Sequence, residues 1–341
     1  MTIFKKIVIT VLFLLSVVFI SAFIFISING KRLVETHLKE IFHRPVVIGS
    51  VYVSFPLTIH IKDLSVDDYF RVSSIAAAID PFHFADKDVR LRKLILTEPF
   101  IVIKKGESGI VLGSPSDQKD NAATKIEPQE NIVREDFSGL AIDQLLIREG
   151  KFNFVDTPSD PEGFSIALKD INLKASRVSF GPRATTTKFH FKAYVQNPHA
   201  SSSAGTIKGG GWVNWHKKDM DATLEVSNLD GKTFSHYYKD SFSKDVKSIF
   251  IDATTRLISK NNEMNVKCQL KIRDLVFEPA GEKDSKSFSF EDMLLSGMQS
   301  QNNEMTLNLN FKTKMDSFKI DSIPFSGSVR QQDVKEKGTA D

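Results

Sequence analysis

Eight histidines (His37, His43, His60, His83, His190, His199, His216, His236) are the first residues to weigh as metal ligands or proton carriers. A zinc hydrolase needs two imidazoles on one helical face, spaced as in H-E-x-x-H, so that both reach one ion. No two of these histidines lie three or four positions apart, and they read as solvated or structural. Cys268 stands alone, which excludes an intrachain disulfide framework and any Cys-rich zinc or iron–sulfur centre. Gly231-Lys232-Thr233 matches the end of a phosphate-binding loop, but the first glycine of that motif falls at Val226 and no helical pattern follows. A hairpin turn is the better expectation there. Gly209, Gly210 and Gly211, next to Trp212, lack the G-x-G-x-x-G spacing and fit a bulge or tight bend in a sheet. There is no G-x-S-x-G nucleophile elbow. Asp63, Asp67 and Asp68 cluster without the glycine and spaced acceptors of a calcium loop. The sequence therefore predicts neither an enzyme nor a cofactor or metal protein.

What the residues do specify is membrane and sheet. Residues 7–28 carry no charge in 22 positions, with Thr10, Ser16, Ser21 and Ser27 as their polar members. As a helix the run spans roughly 33 Å, close to the hydrocarbon thickness of a bilayer. It is longer than the apolar part of a signal peptide and no A-x-A-like site follows, so it reads as an uncleaved transmembrane anchor behind a short cytoplasmic segment, 1–6. Lys5 and Lys6 lie before it and Lys31, Arg32, Lys39 and Arg44 after it, so charge alone does not orient it. Residues 31–44 follow as an amphipathic helix, with Leu33, Val34, His37, Leu38, Ile41 and Phe42 on one stripe and Pro45 ending it.

Beyond Pro45 the apolar period becomes two. Met264, Val266, Cys268, Leu270 and Ile272 alternate with polar residues, as do Met305, Leu307, Leu309 and Phe311. The same alternation links Leu57, Ile59 and Ile61; Phe152 and Phe154; Phe189, Phe191 and Val195; and Leu224 and Val226. Strands with one apolar and one polar face belong to a mainly antiparallel sheet wet on one side. Three segments echo one another: Ile61 to Val66, Leu168 to Leu173 and Ile272 to Phe277 each read apolar, base, Asp, apolar, any, apolar. Their aspartates, Asp63, Asp170 and Asp274, are nearly evenly spaced, as in one sheet extended by similar units. The expected division is a first sheet portion at 45–112, a polar loop or linker at 113–136, a second sheet portion at 137–329 and a charged tail at 330–341. Short helical pieces are plausible near 234–239 and 291–298.

The order of these segments resembles the AsmA-like family of bacterial envelope proteins. The likeness rests on the anchor and amphipathic helix, then His43-Arg44-Pro45-Val46-Val47-Ile48, the runs Leu57 to Leu64 and Leu94 to Phe100, Leu146 to Asp156, Gly210 to Asn214, Leu224 to Leu229 and His236 to Tyr238. Many members of that family are far longer. The resemblance implies a single-pass inner-membrane protein with a periplasmic body. It further implies a long curved sheet whose apolar groove holds the acyl chains of phospholipids or other lipids. On that reading the groove is lined by the alternating apolar residues named above. Lipid transfer toward the outer membrane, or support of its assembly with outer-membrane assembly proteins as partners, would follow. Closed β-sandwich domains, tethered to the membrane as a scaffold for outer-membrane protein assembly, are the alternative. No nucleic-acid partner is expected: 45 Lys and Arg against 42 Asp and Glu leave a net charge of only +3, which gives no electrostatic case for one.

Overall fold

The computed structural model describes residues 29–80, 88–106, 109–112, 139–156, 164–181, 185–196, 203–235, 245–277 and 304–316. Its strands form one 15-stranded sheet in the order β1-β3-β4-β5-β8-β9-β10-β11-β12-β13-β14-β15, with β2 on β3 and the β6–β7 pair beside β4 and β8. The mainly β fold and the largely antiparallel sheet expected from the alternation are therefore present. The chain divides into two compact units after Phe189. The expected anchor at 7–28, the loop at 113–136, the helical piece at 291–298 and the tail at 330–341 lie outside the described residues. Among the described residues no helix is long and apolar enough to cross a membrane.

The first unit opens with an α-helix, α1 (29–42). It is already helical at 29 and ends two residues earlier than the amphipathic pattern suggested. His43, at φ 51°, takes the left-handed position that closes a helix, and its N–H donates to Lys39 O at 2.9 Å. The strands β1 (Val46–Val47), β2 (Ser50–Ser54), β3 (Thr58–Val66) and β4 (Phe70–Ile79) follow, all antiparallel. Val34 and Leu38 of α1 pack on a buried cluster of Val46, Ile48, Val51, Leu64, Val66, Tyr69 and Val72. Glu35 accepts the Ile48 N–H at 3.0 Å, and Arg44 pairs with Asp67 at 2.8 Å while lying over the Tyr69 ring. Two of the predicted stripe residues thus enter the core; Leu33, Ile41 and Phe42 stay 49%, 70% and 41% exposed.

β5 (Asp88–Thr97) and β6 (Phe100–Gly106) run end to end, interrupted at Glu98-Pro99. Pro99 has no N–H to give a ladder, so the line breaks there. Both segments pair in parallel with β8 (Gly139–Asp156), in contrast to the antiparallel ladders of β1–β4, β8–β9 and β11–β15. Glu98 N donates to Arg148 O at 2.8 Å and Lys151 N to Pro99 O at 2.7 Å, carrying the ladder past the break. β7 (Gly109–Leu112) pairs with β6, and β9 (Phe164–Phe180) is antiparallel to β8. β10 (Thr187–Gln196) crosses the division between the units.

The second unit continues with β11 (Ser203–Asn214), β12 (Asp219–Asp230), β13 (Val246–Lys260), β14 (Glu263–Phe277) and β15 (Glu304–Lys314), each antiparallel to the next. Gly231-Lys232-Thr233, expected as a hairpin turn, instead forms a 3-10 turn, Gly231–Phe234, capped by Asp230, whose carboxylate accepts the Lys232 N–H at 3.0 Å. This is also what occupies the described start of the helical piece expected near 234.

The echoed aspartates share one backbone state. Asp63, Asp170 and Asp274 lie mid-strand at φ 53°, 51° and 53°. That left-handed state is costly for most residues, and Asp tolerates it because its short carboxylate bonds locally. It also shifts the alternation by one position. Ile59, Ile61, Leu64 and Val66 all join the first core cluster across Asp63. Ile272, Leu275 and Phe277 join a second cluster, with Ile249, across Asp274. Each apolar-base-Asp-apolar-x-apolar segment is therefore a strand that slips phase yet keeps its apolar residues on one face.

Candidate functional site: the apolar sheet face

Directly opposed residues in an antiparallel ladder carry their side chains on the same face, so the register shows which residues assemble. In the second unit Val226, Ala253, Leu270 and Leu307 form one row, extended by Ile207. Leu224, Thr255, Cys268 and Leu309 form the next, and Ala222, Leu257, Val266 and Phe311 the one after. Ile251, Ile272 and Met305 close one end; Met220, Ser259, Met264 and Thr313 close the other with two hydroxyls. The eleven predicted groove residues of this region, from Leu224 to Phe311, are thus brought together in register.

The first unit has rows of its own. Ile59 opposes Ala77, which opposes Leu94, which runs beside Leu145. Ile61, Ile75, Leu96 and Ile147 form the adjacent row and end on Leu173. Phe152 lies between Ile101 and Leu168, and Phe154 between Ile103 and Ile166. Leu57 sits in the β2–β3 turn rather than in a strand, where its carbonyl accepts the Ile79 N–H at 3.0 Å. In β10 the Phe191 ring occupies the space over Gly209: a Cβ there would approach Phe191 Cε1 to 2.3 Å. Phe189 shares the alternation of Phe191 and is half-buried, while Val195 is only 1% exposed.

Burial separates these residues. Val195, Met264 and Val266 are enclosed, at 1%, 5% and 4% exposure. The larger side chains Phe152, Phe154, Phe191, Leu224, Leu270, Leu307, Leu309 and Phe311 are only half-buried. Every described strand belongs to the one sheet, and α1 covers only the β1–β4 end of it. Within each unit, among the described residues, no second sheet lies over the rows.

The opposite face is charged and wet. Asn265, Lys267 and Gln269 alternate outward along β14, and Asn310, Lys312 and Lys314 along β15. Ion pairs stitch this side together: Arg256–Asp221 at 3.2 Å, Lys271–Glu304 at 2.6 Å and Arg90–Asp143 at 3.0 Å. Asp252 is the most organised group here. One carboxylate oxygen accepts the Asn228 N–H at 2.7 Å and the other accepts Arg273 Nε at 2.8 Å. Partial burial raises its pKa, but the Asn228 N–H and then the Arg273 guanidinium outweigh that and hold it below the ordinary Asp range. Asn228 is itself left-handed at φ 50°, so the three residues brace another phase slip.

Among the described residues no three His, Cys, Asp or Glu side chains converge to hold a metal ion. Asp67 and Asp68, grouped with Asp63 in the sequence, are engaged by Arg44 at 2.8 Å and Lys104 at 3.6 Å. No protein-family model, no curated protein and no solved structure matches this chain.

Sequence reading did not single out Ala77, Leu94, Ile101, Ile103, Ile147 and Ile166, or Ala222, Ala253 and Leu257, as members of the face. For Ile166 the signal was there in β9, where Phe164, Ile166 and Leu168 give way to Ile171, Leu173 and Ala175 and then to Val178 and Phe180. The changes of phase fall at Asp170 and at Arg177, left-handed at φ 51° and 57°. A strict period of two stops at each.

Proposed function

We propose that this chain is a membrane-anchored, non-enzymatic lipid carrier of the bacterial cell envelope, holding acyl chains against the apolar face of its sheet. The observation that carries this reading is the set of in-register apolar rows, half-buried and without a second described layer. Such a face forfeits roughly 25 cal/mol for each Å² left in water, and hydrocarbon tails are a natural cover. Phe, Leu, Ile and Met offer no hydrogen-bond partners, so a tail can slide along the rows while its headgroup stays in water. The uncharged run at 7–28 supports a single-pass inner-membrane location with the body in the periplasm. The likeness to AsmA-like proteins supports transfer toward, or assembly of, the outer membrane.

Photo-cross-linking in intact cells tests the reading. A benzophenone amino acid at Leu309 on the apolar face is expected to yield lipid adducts, and one at Asn308 on the polar face none. Leu270→Glu, which places a carboxylate in the adjoining row, should abolish the Leu309 adduct. Lys267→Glu should preserve it; Lys267 is exposed opposite Arg256, whereas Lys271 holds Glu304 and makes a poorer control. Equal adducts at 308 and 309, or protein adducts alone at 309, would refute lipid carriage and favour a scaffold.

A further inference from the structure

β2 is an edge strand: among the described residues its only strand neighbour is β3. The Gly49 N–H donates to Lys62 O and the Ile79 N–H to Leu57 O, both at 3.0 Å. Backbone polar groups alternate sides along a strand, so Lys62, His60 and Thr58 turn theirs to β2, and the opposed Ser50, Tyr52 and Ser54 turn theirs back. Val51 and Val53 therefore present N–H and C=O away from the sheet. The Ile48 N–H is taken at 3.0 Å by Glu35 of α1. The free edge thus starts beyond Glu35 and ends at the Phe55-Pro56 turn, where Phe55 is 89% exposed. Within it, Ser50–Ser54 carries neither a charge nor a proline, the residues that commonly blunt such an edge.

The sequence of β2 says what fits there. Ser50-Val51-Tyr52-Val53-Ser54 reads the same in both directions. An antiparallel partner runs reversed, so a second copy of β2 meets the first with matching side chains about a two-fold axis at Tyr52. Val51 then exchanges both hydrogen bonds with Val53 of the second copy, and Val53 with its Val51. On the polar face the two Tyr52 rings become a cross-strand aromatic pair, each already stacked on its own His60 at 4.7 Å. No like charges are opposed in this register.

We propose that this chain self-associates through β2, two copies pairing antiparallel about Tyr52 to join their sheets. The axis stands perpendicular to the sheet, so both apolar faces lie on one side. Val53, opposite Ile59, then continues into Val51 and Ile61 of the second copy. The pairing is independent of what covers that face.

Cysteine cross-linking of the full chain tests it, in a Cys268→Ser background. Opposed residues outside the hydrogen-bonded pairs have Cα atoms about 4.5 Å apart, within disulfide reach. Tyr52→Cys is therefore expected to yield a disulfide-linked dimer on mild oxidation. Ser50→Cys and Ser54→Cys, each alone, hold their thiols roughly 14 Å apart across the axis and should not cross-link. Co-expressed, the two should cross-link to each other, because position 50 opposes position 54. That mixture keeps the Tyr52 ring, so it decides the matter even where Tyr52→Cys fails to fold. Light scattering adds a second readout: Val53→Pro removes an N–H that β3 does not use and should halve the mass of the particle. Equal cross-linking of all three single variants, or none in the mixture, overturns the pairing. A dimer indifferent to Val53→Pro places the association elsewhere and overturns it as well.

Discussion

At the scale of single residues, the left-handed aspartates explain a sequence pattern that alternation alone does not. Asp170 is exposed and at φ 51°, so Asp170→Gly should leave stability nearly unchanged while Asp170→Val should lose about 1–2 kcal/mol by urea denaturation. Equal loss in both variants would place the effect in the carboxylate instead of the backbone. Asp252 gives a pH dependence with a defined sign. Its carboxyl is depressed in the folded state, so its contribution is complete above the unfolded value of about 3.9 and fades as pH falls through the lower folded value. Asp252→Asn should be less stable at neutral pH and show a shallower acid loss than the parent, measured by thermal melts between pH 2 and 7. The repeated Asp was legible in the sequence; its conformation was not. Arg177 and Asn228 adopt the same state with different side chains, so no shared letter marked them.

Elements were legible where their period held. The 15 residues of β14 alternate until the phase slips at Asp274, and β15 alternates throughout, so both were readable with their partners' faces. β8 was not, because Leu145, Leu146 and Ile147 are apolar on both sides of the strand and Pro99 conceals that β5 and β6 are one interrupted line against it. The parallel pairing of β8 follows from that line and no local period announces it. α1 was legible as amphipathic, but the share of its apolar stripe that enters the core depends on where β1 and β3 stand. In β11, Gly209 is a position where substitution acts through packing: Gly209→Val drives a side chain into the Phe191 ring and should destabilise by about 1–3 kcal/mol, with Phe191→Ala partly restoring the double variant. A strictly additive double variant would show that the two do not touch in solution.

For the whole molecule, the question is what meets the apolar rows. The purified, folded chain should bind an environment-sensitive naphthalene dye, with emission falling as phosphatidylglycerol is added and occupies the same surface. A chain that keeps native near-ultraviolet circular dichroism yet leaves the dye dark has closed the face with its own residues, and a sandwich is then the better description. Composition made this face foreseeable, with 27 Phe and only 5 Tyr and 2 Trp. Its cover was not foreseeable, because a binary apolar–polar pattern is the same whether protein or lipid lies above it.

The strand order has a kinetic consequence. From β8 to β15 each strand pairs with the one before and after it, so assembly can advance hairpin by hairpin as the chain emerges. The exception is the join of β8 to β5, where Asp88 meets Gly139 and a segment of ~50 residues must first be closed. Until that closure, β5 offers an unpaired edge to any passing strand, and that interval is when the nascent protein is most vulnerable to self-association.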